Sequence, residues 1–414
     1  MTACSSKLQH ISYVIESAWG ENSTSTTSAQ TIPTTVMADL SKLGRMMIDA
    51  GRIVQYRNER PKMIPGPHEG DFTIEIEAIG HGSTTAGAVT ATAAETLLGY
   101  AMGAVASPTG ADGTTISGTS STATSLNVAA ASGLLAGQII FAGVKNDGRG
   151  DGQPAVVTSH GTSVIALKTA LPAAMTTAAE AVRTAIMVHT VESTCATQPL
   201  RMFIKTADTN WCLHGCFVKS LSFTGGAPGQ IAKWQMTFGV SWLEPISATF
   251  PDTTTTAAWT TNAVPTAAGS VFMNAYGTAT RATLTARAIS IGITLGIQPV
   301  MGYNGISTAQ MIVGASRVPD DIKVSITVDA EGDSASPTWW AAWAANLRRH
   351  LLIAWSVGDT ASLACYFPNL RWTGKQPTQM DYEGLNRVAL EFEAGTDTTG
   401  STDLARSAMR WGLA

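Results

Sequence analysis

Charge is scarce in this sequence: Asp, Glu, Lys and Arg make up 14% of 414 residues and leave a formal net charge of −4. A duplex-binding protein that works by neutralising phosphates needs a surplus of cations, and this balance argues against that class. Free monomers usually carry more charge for solubility, so a surface rich in Ala, Thr, Gly and Ser suits burial against neighbours. It also suits a wall that nucleic acid slides past. Cysteines are few and odd in number (Cys4, Cys195, Cys212, Cys216 and Cys365), which favours synthesis in a reducing compartment. Long apolar runs are missing as well. The most apolar stretch, 286–300, alternates and contains Arg287, Gln298 and Pro299, so no membrane span is expected. The opening MTACSSKLQHISY has no apolar core of an export signal.

Motifs of catalysis are equally thin. The sequence has no GxSxG elbow, HExxH or P-loop, its seven histidines are scattered, and GHGSTTAG lacks the third glycine of a dinucleotide fingerprint. No enzymatic role and no cofactor are expected. Cys212-Leu-His214-Gly-Cys216 offers three potential metal ligands, but the spacing is not that of a zinc knuckle and a fourth ligand is not apparent. These residues read as packed strand positions, and no metal is expected. Arg149-Gly150-Asp151 lies in a Gly-rich turn that needs Gly and Asp for its backbone angles, and Asp147 with Asp151 lacks the ligand count of a calcium loop.

What is present is one unit twice. CFVKSLSFTGGAPGQ (216–230) lies over CYFPNLRWTGKQPTQ (365–379) at a constant offset of 149, with six of fifteen positions identical, among them Cys216 on Cys365 and Pro228 on Pro377. Upstream, DFTIEIEAIGHG (71–82) lies over DIKVSITVDAEG (321–332) at an offset of 250. The difference of 250 − 149 = 101 places about a hundred inserted residues between the anchors of the first copy.

Each copy opens with an alternating strand, Phe72, Ile74 and Ile76 in the first and Val324, Ile326 and Val328 in the second. A helix follows. Thr92 and Glu95 are spaced as a capping box ahead of Leu98, Ala101, Met102 and Val105. In the second copy Ser336 and Pro337 start a helix with Trp340, Trp343, Leu347 and Leu351 inside and Arg348, Arg349 and His350 near its end. A hairpin closes each unit. Its return strand places Trp234, Met236, Phe238, Val240 and Trp242 on one face in the first copy, and Val388, Leu390 and Phe392 in the second. The stretch Ile289, Ile291, Ile293, Leu295, Ile297 reads as the opening strand of the second copy.

The expected class is mainly β (α+β): tandemly duplicated β-sandwich or barrel units, each with a flanking helix, plus an inserted small β domain. Residues 1–105 with 196–247 form the first copy and its N-terminal arm, and 106–195 form the insertion. Residues 248–270 are the linker, and 271–414 are the second copy with a C-terminal arm. The insertion opens with a Gly/Ser/Thr tract and then shows strands at Gln138–Ala142, Ala155–Ser159 and Val164–Leu167. It reads as an exterior module projecting from the main body, dispensable for assembly.

A strand, a helix and a long hairpin with a Gly/Pro turn, present twice in a low-charge chain, resembles the major tail tube proteins of long-tailed bacteriophages. The resemblance covers about 1–105 and 196–414. It implies a structural virion protein of the tail, made in the bacterial host cytoplasm, that forms stacked trimeric, pseudo-hexameric rings whose inner strands join into one barrel. The implied partners are further copies of itself, the tape measure protein, and the tail terminator and tail tip proteins. DNA would pass in transit without sequence-specific binding, and no membrane is involved. On that reading Glu75, Glu77, Glu391 and Glu393, which alternate with buried positions, line an acidic channel. The terminal segments, which bury little alone, lie on adjacent subunits, with Trp411 anchoring in a neighbour's pocket. A capsid decoration, fibre or adhesin protein would share the β-rich, Thr/Gly-rich composition. A β-scaffold hydrolase would need convergent catalytic groups that the sequence does not assemble.

Overall fold

A computed structural model of the chain describes residues 10–17, 19, 29–32, 34, 38–48, 64–78, 91–107, 114–117, 121–131, 133–145, 152–172, 174–175, 180–191, 199–206, 209–224, 231–246, 250–251, 269–301, 312–329, 336–357, 361–382 and 385–414. The RGD triplet, Asp147, Pro228, Cys4, Cys195 and the GHGSTTAG run lie outside them. The protein is mainly β, with large antiparallel sheets. In chain order it begins with strands β1 (His10–Ile15), β2 (Gln30–Ile32), β3 (Gly44–Ile48), β4 (Ile64–Glu69) and β5 (Asp71–Glu77). Helix α1 (Ala93–Met102) and β6 (Gly103–Ala106) follow. The small sheet comprises β7 (Thr114–Thr115), β8 (Ser125–Asn127), β9 (Ile139–Lys145), β10 (Gln153–His160), β11 (Val164–Leu167) and β12 (Glu180–Thr184). Next come β13 (Ile186–Thr190), β14 (Leu200–Lys205), β15 (Asn210–Thr224), β16 (Lys233–Gly239) and β17 (Trp242–Ile246). The remainder holds β18 (Gly269–Ala275), β19 (Ala286–Met301), β20 (Ile312–Asp329), α2 (Ser336–Ala344) and β21 (Arg349–Val357). It ends with β22 (Ala361–Trp372), β23 (Thr378–Tyr382), β24 (Leu385–Gly395), α3 (Asp403–Arg406) and β25 (Arg410–Leu413).

Local chemistry explains the elements. Phe72, Ile74 and Ile76 are buried and alternate with half-exposed Thr73, Glu75 and Glu77 in β5. At the start of α1 the Glu95 amide donates to Thr92 Oγ1 while Glu95 Oε2 accepts from the Thr92 amide, completing the capping box. The helix buries Leu97, Leu98, Ala101 and Met102, whereas Val105 belongs to β6. The second helix is shorter than its periodicity suggests. It ends at Ala344, Asn346 takes a left-handed φ of 48°, and Arg349 and His350 already belong to β21. Its inner face is therefore Trp339 and Ala342, while Trp340 and Leu347 are exposed.

The two halves carry the same strand order. In the first, β1 pairs β14, β14 pairs β15, β15 pairs β16 and β16 pairs β5. In the second, β18 pairs β21, β21 pairs β22, β22 pairs β24 and β24 pairs β20. Both sets are antiparallel, and the helix falls between corresponding strands. The opening strand of the second set is thus β18, not 286–301. That long strand instead lies between the halves, pairing β15 on one side and β20 on the other. The registers are not identical: Phe223 sits across from Trp234, but Trp372 sits across from Phe392.

One sheet, β5-β16-β15-β19-β20-β24, packs its apolar face against a second, β6-β13-β25-β22-β21-β18. Where they meet, Phe223, Trp234, Trp355 and Trp411 form a contact cluster, with Trp411 4.3 Å from Trp234 and 4.7 Å from Phe223 between ring centroids. Trp411 is the correction to the expected C-terminal arm. It is fully buried in its own chain because β25 is a paired strand between β13 and β22.

The inserted sheet has its own core, Leu126, Val128, Ile140, Ala155, Val157, Ile165 and Val182 among others. It does not project freely. Ile139, Phe141 and Val156 pack against Leu352, Ala354, Ala364 and Tyr366 on the outer face of β21 and β22. The boundary also moves, since β13 belongs to the main body. Buried Arg410 pins the seat: it pairs with Asp397 at 3.3 Å, and Asp397 also pairs with Lys168 from the insertion. Burial works against the Asp397 charge, but the hydrogen bonds from Lys168 and Thr399 outweigh it and hold the carboxyl below its ordinary value. No helix among the described residues is long and apolar enough to cross a membrane.

Truncating Trp411 to Ala is expected to cost about 3–5 kcal/mol in urea unfolding, against about 0.5 kcal/mol or less for the exposed Trp340→Ala. One contribution to acid sensitivity comes from His350, whose pKa is lowered to about 4 by burial and by nearby Lys168, Arg281 and Arg349. The folded ring stays neutral while the unfolded chain takes up a proton below its ordinary value near 6.5, so this contribution is complete above that pH and declines towards pH 4. Stability at pH 4.5 should fall on the order of 2 kcal/mol more in the unmodified chain than in His350→Gln, measured by chemical denaturation.

Candidate functional site

Alternation puts apolar side chains on the core side of the first sheet and polar ones on the other side, and the pairing registers align the polar ones into rows. One row runs Glu75, Gln235, Ser222, Gly292, Lys323, Glu393, Arg371 across seven strands, each residue directly opposite the next. The neighbouring row runs Glu77, Lys233, Thr224, Ser290, Ser325, Glu391. Glu75, Glu77, Glu391 and Glu393 therefore share one face of one continuous sheet. They form two groups, on β5 and on β24, five strand spacings or about 24 Å apart. That separation is too wide for two-carboxylate glycosidic chemistry.

The face carries both signs. Glu75 accepts from Lys233 at 2.6 Å and Glu391 pairs with Lys375 at 2.9 Å, while Lys323 and Arg371 flank Glu393 in its row. The middle of the face, on β15 and β19, is Ser, Thr and Gly. Arg387 of the same strand as Glu391 and Glu393 is buried. Trp411, expected at an intersubunit pocket, lies in the core as described.

A second constellation sits at the bend of β15. Leu200 faces Cys216 on one side of the bend, and Gly215 takes a φ of 58°. A Cβ there would collide with Ser241 Oγ, so only glycine fits. Cys212 and His214, two apart, share a face, with Cys212 Sγ 3.1 Å from His214 Nε2. Glu244 of β17, directly across from Cys212, brings Oε1 to 3.2 Å from the same nitrogen. Glu16, just past β1, lies 3.4 Å from His214 Nδ1. Arg201 Nε donates to Cys212 Sγ at 3.1 Å, and Trp242 stacks flat on the imidazole at 3.9 Å. Trp242 is thus outside the return strand, which ends at Gly239. Burial pushes the Cys212 thiol up to about 11 against the pull of Arg201. Cys216 points elsewhere, donating to the Leu213 carbonyl. Alternation within CLHGC places Cys212 and His214 together, but Glu16 and Glu244 are remote in sequence and only β-pairing reveals them.

No family model matches this chain, and no curated protein sequence is similar to it.

A double-mutant cycle on Glu75→Ala and Lys233→Ala, read by urea unfolding, should return a coupling of about 0.2–1 kcal/mol that shrinks in high salt, as for a half-exposed pair. A coupling above that range would place the pair in a drier setting than this face provides.

Proposed function

We propose that the chain is a structural subunit of a bacteriophage tail tube, assembling as stacked rings around a channel for the tape measure protein and for DNA during ejection. The observation that carries this reading is the junction inside the chain. β19 bridges β15 of the first half to β20 of the second, so two units with one strand order are already fused into a single curved sheet. The corresponding edge of the first half is open: among the described residues β5 pairs only with β16. At the other end, the last residues of β22 carry β24 on one side and, beyond the single pair of Leu370 with Arg349, no further partner on the other among the described residues. A junction of the same kind between chains, with a strand in the place that β19 holds inside the chain, joins these ends. Three chains then supply six units, and closure removes the exposed edges that would otherwise template aggregation.

The polar face suits a channel wall on this reading. Its Ser, Thr and Gly centre, and lysines already paired with Glu75 and Glu391, give DNA few attractive contacts, and each such contact would resist transit. The hairpin β3–β4 and the outer half of β19–β20 extend from the two units at corresponding places, supplying arms for neighbouring copies.

Negative-stain imaging of the purified full chain at rising concentration tests the proposal. Rings of uniform width that stack into hollow tubes are expected, with a ring mass of three chains by analytical ultracentrifugation. Monomers that persist at every concentration, or solid fibres with no lumen, would overturn it and favour the decoration or fibre class.

A further inference from the structure

We infer that Cys212, His214 and Glu244 form a binding site for a zinc ion, independent of the tube reading above. The three ligand atoms lie within 4.8 Å of one another. Two of the separations, 3.1 Å and 3.2 Å, are a few tenths short of the roughly 3.5 Å between ligand atoms that tetrahedral zinc with Zn–S near 2.3 Å and Zn–N near 2.0–2.1 Å requires. A small rotation of the Glu244 side chain and of the thiol opens that space. Sulfur, imidazole nitrogen and carboxylate oxygen are the donor types that zinc takes. Glu244 is the one ligand with solvent access, its side chain 34% exposed, so the ion enters there and water fills the fourth position.

The surroundings are those of a metal-binding histidine. Glu16 faces Nδ1 and its other oxygen accepts the Gly215 amide at 3.1 Å, which holds the carboxylate in place. The 3.4 Å contact at Nδ1 lacks hydrogen-bond geometry, so Glu16 acts on the ring as a nearby negative charge that raises its basicity, while Nε2 is the nitrogen turned towards Cys212 and Glu244. The ring cannot swing away because Trp242 lies parallel to it within 3°. Arg201 donates to the sulfur, a hydrogen bond that a metal-bound thiolate accepts. The charges also close: zinc is matched by the Cys212 thiolate and Glu244, and Glu16 by Arg201. The rival arrangement is a proton in place of zinc, with a neutral thiol and an imidazolium held between Glu16 and Glu244.

Metal analysis of the purified full chain, after growth with zinc and dialysis against metal-free buffer, separates the two. One zinc per chain is expected, falling to background in Cys212→Ser and His214→Gln and unchanged in Cys216→Ser, whose thiol faces away. Should a buried variant fail to fold, Glu16→Gln and Glu244→Gln serve, each expected to weaken zinc about 10–100-fold in competition with a chromophoric chelator. Cobalt added to the metal-free chain should give a sulfur-to-cobalt charge-transfer band in the near ultraviolet. A folded chain that takes up neither zinc nor cobalt, or zinc retained in full by both Cys212→Ser and His214→Gln, would overturn the assignment.

Discussion

The joining of the two halves leans on one contact, the meeting of Phe223, Trp234, Trp355 and Trp411. The first two come from the first half, the last two from the second. Aromatic side chains of this size bury roughly 150–250 Å² each, and tilted or edge-on pairs add something beyond area. The cluster therefore makes the halves one folding unit rather than two beads on a linker. It also has a cost, because the Trp234 and Trp411 indole N–H groups are buried without a hydrogen-bond partner among the described residues. Packing offsets that loss only while all four rings stay in place.

With the halves fused, the remaining geometry follows from pairing. β15 and β22 each serve two sheets, turning at a bend and handing their ends to different neighbours. Such corner strands let a sandwich close at one side while leaving an edge open at another. Among the described residues the open edge on β5 and the continuous polar face belong to the same sheet, so one set of strand registers fixes both. The insertion occupies the opposite, outer side, seated on β21 and β22 through a dry interface and the Lys168, Asp397 and Arg410 network.

Much of this was legible in the residues. Alternation found β5, β16, β20 and β24, because each has one wet face, and the capping box found the start of α1. The match of Cys216 with Cys365 pointed at two strands that hold corresponding places in the two strand orders. Two of the failures share a cause, because they concern short and fully buried strands. β25 is four residues long and buried on both faces, so Arg410, Trp411 and Leu413 show no period and read as a tail. The five residues of β13 are likewise all buried. The end of α2 was missed because Leu347 and Leu351 continue the helical spacing, and only the left-handed Asn346 breaks it. Glu16 and Glu244 meet His214 solely through pairing between distant strands.

The place of β25 sets a clock. Val188 of β13 is paired with Trp411, 411 − 188 = 223 residues later in the chain. At about 5–20 residues per second of synthesis, β13 waits on the order of 10–45 s for the strand that covers it, and the Phe223–Trp234 hairpin about 9–35 s. During that interval the nascent chain presents large aromatic surface with no partner. Its yield in a cell should thus depend on translation speed over the second half and on chaperones that hold the first half soluble.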